Sequence, residues 1–173
     1  MKFPIFLSVL AVAAMPALAD ETEDIGKMQA TFGDQAIELP TMIYTSGDDV
    51  SPSAYMFAPG GGFTVLSIAG MNMANDRLDI QVDFYPAPPS TGAGAFSLEI
   101  SYDPTGNGQR WTSDEAPTPA AISFTTLEFD DVQGRAAGTF TGELCYADGY
   151  EAEADPGNCK LIEGSFDTQF FME

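Results

Sequence analysis

Apolar residues recur with a period of two along Leu78, Ile80, Val82 and Phe84, separated by Asp79, Gln81, Asp83 and Tyr85. Successive side chains of a β-strand point to opposite faces, so this stretch offers one face to a core and the other to water. Phe96, Leu98, Ile100 and Tyr102 repeat the pattern, with Ser97, Glu99 and Ser101 between them. No window long enough for a helix carries a 3.6-residue apolar period, and the chain reads as all-β.

Similar stretches predict strands over 27–32, 35–39, 41–45, 54–58, 63–69, 122–129, 135–145 and 159–171, with a short one at 109–112. Turn residues separate them, among them Gly33-Asp34, the glycines at 60–62, Asn75-Asp76, the Asp103 to Gly108 run and Gln133-Gly134. Nine to eleven short strands in this length predict an antiparallel β-sandwich, with a closed β-barrel as the alternative. An outer-membrane barrel is disfavoured by the polar outer faces and by the Met172-Glu173 ending. For the two clearest strands, Ile80 opposite Ile100 and Asp83 opposite Ser97 is the preferred register, because a slip of two residues would set Asp83 against Glu99.

The first nineteen residues have the form of a signal peptide: Lys2, an apolar run over 3–14, then Ala17-Leu18-Ala19 as the small-x-small cleavage pattern. Cleavage is expected between Ala19 and Asp20, giving an acidic N-terminal segment at 20–26 and a single all-β domain at 27–173. No membrane span is expected in the mature form, because Pro16 and the acids from Asp20 onward cut the apolar run short. The expected address is periplasmic or secreted.

The chain carries 26 acidic and six basic residues, and loss of residues 1–19 removes only Lys2, leaving −21. A surface so acidic disfavours nucleic acid and anionic lipid, which are bound through Lys and Arg at phosphates. Thirteen Phe, six Tyr and one Trp nevertheless supply enough apolar bulk for a folded core.

Two cysteines occur, Cys145 and Cys159, and in an oxidising compartment they are expected to form one disulfide. Phe140 and Leu144 fall on the opposite strand face from Cys145, and Ile162, Phe166 and Phe170 do the same relative to Cys159. A cross-strand bond then places Phe140 opposite Gly164, Gly142 opposite Ile162 and Gly138 opposite Phe166, large residues against glycines throughout. Closing a loop of about 15 residues stabilises by about 3 kcal/mol on the chain-entropy model. The stretch Arg135-Ala-Ala-Gly-Thr-Phe-Thr-Gly-Glu-Leu-Cys145, with Ile162-Glu-Gly-Ser-Phe-Asp167, resembles the terminal hairpins of small exported bacterial β-domain proteins of unassigned function. The resemblance covers the last quarter of the chain; it implies an exported β-sandwich and carries over no activity.

With no histidine, the chain cannot itself form a Ser-His-Asp, Cys-His or His-ligated zinc site. Carboxylates remain: Asp79, Asp83 and Glu99 share one predicted face with Tyr85, the residue types that run glycoside hydrolysis when suitably spaced. Asp148, Glu151, Glu153 and Asp155 fall inside the disulfide loop and form the candidate calcium site, with no other cofactor expected. Met71 and Met73 offer two soft thioethers to copper, and Trp111 beside Arg110 offers a stacking platform, but ordinary apolar contacts are the simpler expectation for both. The leading expectation is a non-enzymatic acidic binding or interaction domain with an unknown protein or glycan partner. The alternatives are a carbohydrate-active enzyme using carboxylates on a β-sandwich face, or a structural envelope component. Intact-mass analysis of exported protein should show a start at Asp20 and a gain of two hydrogens on reduction; retained residues 1–19 or two free thiols would refute the reading.

Overall fold

The computed structural model describes residues 21–72, 74–86, 89–92, 94–150 and 152–173. The expected signal peptide, its cleavage point at Ala19 and Asp20, and Met73 and Glu151 lie outside the described residues. Eleven strands follow in order: β1 (Glu21–Phe32), β2 (Gln35–Ser46), β3 (Asp49–Pro52), β4 (Ala54–Gly60), β5 (Phe63–Met71), β6 (Arg77–Phe84), β7 (Ser97–Asp103), β8 (Arg110–Thr112), β9 (Ala121–Phe129), β10 (Gln133–Ala147) and β11 (Asp155–Met172). Among the described residues no helix is long and apolar enough to cross a membrane.

The alternation read from the sequence is realised in the core. Leu78, Ile80 and Val82 are fully buried, as are Ile100, Leu144 and Ile162. β6 and β7 pair with Ile80 opposite Ile100 and Asp83 opposite Ser97, the register that keeps Asp83 away from Glu99. Two layers enclose this core. β2, β1, β11, β10 and β9 form one, and β4 to β8 the other, with Phe32 of β1 packed edge-on against Tyr102 of β7 at 5.2 Å and Phe84 of β6 against Phe124 of β9 at 5.8 Å.

The layers are not separate sheets. All eleven strands belong to one hydrogen-bonded sheet, because β11 pairs with β4 at one margin and β10 pairs with β8 at the other. The β11–β4 pairing is parallel, through Phe171 to Tyr55 and Met172 to Met56, so the sheet is mixed where a purely antiparallel one was expected. β1 also begins at Glu21, and its acidic start pairs with Met42 to Thr45 of β2, making that segment part of the sheet. Likewise 35–39 and 41–45 are one strand. Pro40 interrupts no ladder there, since β3 covers only Ile43 to Ser46 of β2's outer edge.

The longest ladder joins β10 to β11, with Phe140 opposite Gly164, Gly138 opposite Phe166, Gly142 opposite Ile162 and Cys145 opposite Cys159. The Cys145–Cys159 disulfide is formed, its Cα atoms 4.0 Å apart. Each ring lies over a bare glycine: a Cβ added at Gly164 would stand 2.6 Å from Phe140 Cζ, one at Gly138 3.0 Å from Phe166 Cζ, and one at Gly134 would collide with Phe170. Overpacking of this kind costs about 1–3 kcal/mol. Gly164→Ala should therefore lower the urea-unfolding free energy by that amount. Gly92→Ala, where an added methyl meets nothing within 4 Å, should stay within about 0.5 kcal/mol of the parent. Equal effects at the two sites would refute the close packing at Gly164, where an added Cβ meets the Gln29 carbonyl oxygen as well as the Phe140 ring.

Candidate functional site

The acids singled out in the disulfide loop point to different partners. Asp148 Oδ1 accepts a hydrogen bond from Gln109 Nε2 at 3.0 Å, and Asp155 Oδ1 accepts one from Gly157 N at 2.9 Å. Glu153 borders a shallow pit beside Arg110 and Tyr150, and Arg110 reaches over the Tyr150 ring, 5.5 Å from its centroid. Among the described residues no three acids or cysteines are grouped to hold a cation. The loop is fastened by Gln109 and Arg110 instead.

Asp79, Asp83 and Glu99 do share the outer face of β6 and β7, in three different settings. Arg77 grips Asp79, with Nε 2.8 Å from Oδ2 and Nη2 2.8 Å from Oδ1. Glu99 accepts from Thr112 Oγ1 at 3.4 Å and lies 3.6 Å from Arg110 Nη1. Asp83 has one carboxylate oxygen buried without a hydrogen-bond partner. Trp111 is a packing residue: Phe32 lies 5.2 Å away edge-on, and Lys160 Nζ sits 4.6 Å from its ring centroid. Asn72, which follows Met71 in the chain, organises the β5–β6 turn by accepting from the backbone N–H groups of Ala74 and Asp76.

Sequence reasoning missed an aromatic cluster. Phe96 was expected to continue the inward face of β7, yet β7 begins at Ser97 and Phe96 is 64% exposed. Side-chain pairing stops at Asp83 and Ser97, and Phe124 covers the inward side of Phe84, leaving no site for a second ring. Phe96 instead meets Phe63 at 5.3 Å and Tyr85 at 6.1 Å, while Phe63 and Tyr85 lie 4.8 Å apart. The glycine turn at 60–62 makes room: all three glycines have positive φ, and the position a Cβ of Gly62 would take is 3.3 Å from the Tyr85 ring. The doublet Phe84-Tyr85 held the available signal, since consecutive strand residues cannot both face inward.

Phe96 forms one wall of a groove of about 480 Å³ that continues along Ser97, Ser113 and Pro119 to Ala121 and Ile122. Ala121 and Ile122 also border a trough of about 560 Å³ on the outer face of β9, β10, β11 and β1. There Ser123, Thr139, Ser165 and Gln29 stand opposite one another in successive strands, with Thr141, Glu163 and Thr31 in the adjoining row. A third depression, of about 650 Å³, mixes charges: Asp24, Glu38 and Asp167 with Lys27 and Arg135.

In that last depression Arg135 donates to Asp167 through Nε at 3.0 Å and Nη2 at 2.8 Å, which holds the Asp167 carboxyl below its ordinary range. Asp130 is lowered by a different cause, the backbone N–H groups of Gln133 and Val132. A folded value below the unfolded one near 3.9 adds stability above that pH and loses it as the pH falls through the folded value. Both Arg135 and Asp167 side chains are half exposed, 60% and 51%, so solvent screening keeps the effect on stability small. NMR titration of Arg135→Ala should return Asp167 toward the ordinary range and leave Asp130 depressed; a joint rise of both would show a general charge effect.

No family model, curated protein or solved structure matches this chain.

Proposed function

We propose that the chain is a non-enzymatic binding domain of the bacterial cell envelope, exported by its N-terminal signal, processed before Asp20 and working in the periplasm or outside the cell. The observation that carries this reading is the aromatic cluster. Tyr85 and Phe96 remain 54% and 64% exposed although the protein has a well-filled core in which they take no part. Rings with few rotatable bonds, held by their neighbours, form contact area at low entropic cost, which suits recognition. The Cys145–Cys159 disulfide supports an oxidising compartment. The carboxylate-enzyme alternative gains nothing from Asp79 and Glu99, each beside a guanidinium, and among the described residues of the acidic loop Asp148 and Asp155 have separate hydrogen-bond partners.

Immobilised mature protein should retain a component of its own envelope fraction, and Tyr85→Ala with Phe96→Ala should abolish that retention while the melting temperature stays within a few degrees of the parent. Retention equal in parent and variant would place recognition elsewhere. Absence of any retained component would count against a binding role.

A further inference from the structure

β9 is the longer of the two strands at the margins of the sheet, nine residues against four for β3, and among the described residues it pairs with β10 alone. β3 is blunted by its shortness and by Pro52, whereas β9 contains neither of the usual edge guards, lysine and proline. We propose that the start of β9 takes up an extended, basic segment of a partner protein as an added strand; the inference rests on the binding-domain reading above and names the kind of partner and how it is held.

Three observations meet there. The first is unpaired main chain on both banks of the groove beside Phe96. On β7, Ile100 donates its N–H to Ser113 Oγ and accepts from Ser113 N, each at 2.8 Å, so its polar groups turn away from β6. Backbone groups alternate sides along a strand, and those of Leu98, two residues earlier, turn the same way. β8 pairs with Ser101 and Tyr102 and does not extend to Leu98, which lines the groove. On the opposite bank Ala121 and Ile122 open β9, and the outward edge of that strand has no backbone partner among the described residues. Its ladder to β10 is regular from Ala121 to Phe124 and the register shift falls at Thr125, so a straight run of four residues begins at the groove. A chain laid beside such an edge satisfies its N–H and C=O groups together.

The second observation is the aromatic cluster. Phe96 walls the same groove with its ring exposed, so a strand added there brings a side chain against a ring that Phe63 and Tyr85 hold in place. The third is charge. Asp114 and Glu115 lie exposed in the chain between Ser113 and Ala116, two residues that line the groove. Lysine or arginine side chains of an incoming strand meet these carboxylates, and a chain with 26 acidic and six basic residues draws a basic segment from a distance. A second copy of this chain carries the same charge and is repelled, so the occupant is a different protein.

The test uses the mature chain, residues 20–173, and three synthetic octapeptides. One alternates valine and lysine, one alternates valine and glutamate, and one is the valine–lysine sequence N-methylated at every residue, which keeps the side chains and removes the main-chain donors. Followed by NMR, the valine–lysine peptide at millimolar concentration or below should shift the Leu98 amide and slow hydrogen exchange at alternate residues from Ala121 to Phe124. The glutamate and N-methylated peptides should leave those amides unchanged. Asp114→Asn with Glu115→Asn should weaken binding about fivefold, the effect of two exposed charge pairs. The melting temperature should be kept, because both side chains are exposed and asparagine accepts the φ of 59° at Glu115. Protection at another edge, equal binding of the glutamate or N-methylated peptide, or unchanged affinity in the double variant would overturn the proposal. So would silence from the valine–lysine peptide. Envelope retention that still depends on Tyr85 and Phe96 would then leave the binding-domain reading standing without an added strand, whereas loss of both would remove both readings.

Discussion

Phenylalanine seated over glycine across β10 and β11 sets the geometry on which the other strands depend. β11 carries β10 on one side and both β1 and β4 on the other, while β10 in turn carries β9 and β8. An error in this one register would therefore spread to both layers. Sliding the pair by two residues in one direction would set Phe140 against Phe166 and Gly142 against Gly164, ring on ring beside bare backbone. Sliding the other way would leave Gly138 facing Gly164, and either slip takes Cys145 away from Cys159. The native register gives each inward phenylalanine of the pair, and Ile162, a glycine partner, and burial of each ring contributes about 1.5–3 kcal/mol. The disulfide closes the far end of the same ladder, so packing and covalent chemistry select one alignment.

Much of the architecture was legible because its determinants are local pairs. Period-two alternation located the strands, avoidance of facing acids selected the β6–β7 register, and two cysteines with glycines placed opposite phenylalanines selected that of β10 and β11. The parallel joint between β11 and β4 was not legible. It rests on two residue pairs between segments more than a hundred positions apart, and nothing local distinguishes Phe171 as a partner for Tyr55. The acidic start of β1 was misjudged for a related reason: backbone pairing with β2 needs no apolar side chain, and hydropathy says nothing about it. Phe96 failed through a boundary effect. Alternation predicts the face of a residue only while the strand stays paired, and pairing ends one residue after Phe96 in the chain.

The candidate site was less legible than the fold. Thr139, Ser165 and Ser123 look in sequence like any solvent-facing strand positions, and they become a row only when the registers of β1, β11, β10 and β9 are known together. The acids drew attention because they are numerous, yet the structure disperses them among individual partners: Arg77 for Asp79, Gln109 for Asp148, Arg135 for Asp167. Arg77 and Arg135 are two of only six basic residues in the chain, so those two pairings use a third of the positive charge. Most carboxylates remain solvated on the exterior.

The inner and outer faces of β10 and β11 are coupled through the same backbone. Gly164 receives the Phe140 ring on its inner side and borders the hydroxyl-lined trough on its outer side. The rings packed beneath these glycines occupy the space a side chain would take. The outer residues, alternating with those glycines, are Thr139, Thr141 and Ser165. They are short, so the backbone forms the floor and the neighbouring Glu163 and Gln29 side chains stand higher around it. A substitution at an inward glycine must displace a ring or a neighbouring backbone, whereas one at an outward, exposed threonine leaves the core undisturbed, so the same two strands hold the positions most and least sensitive to an added side chain.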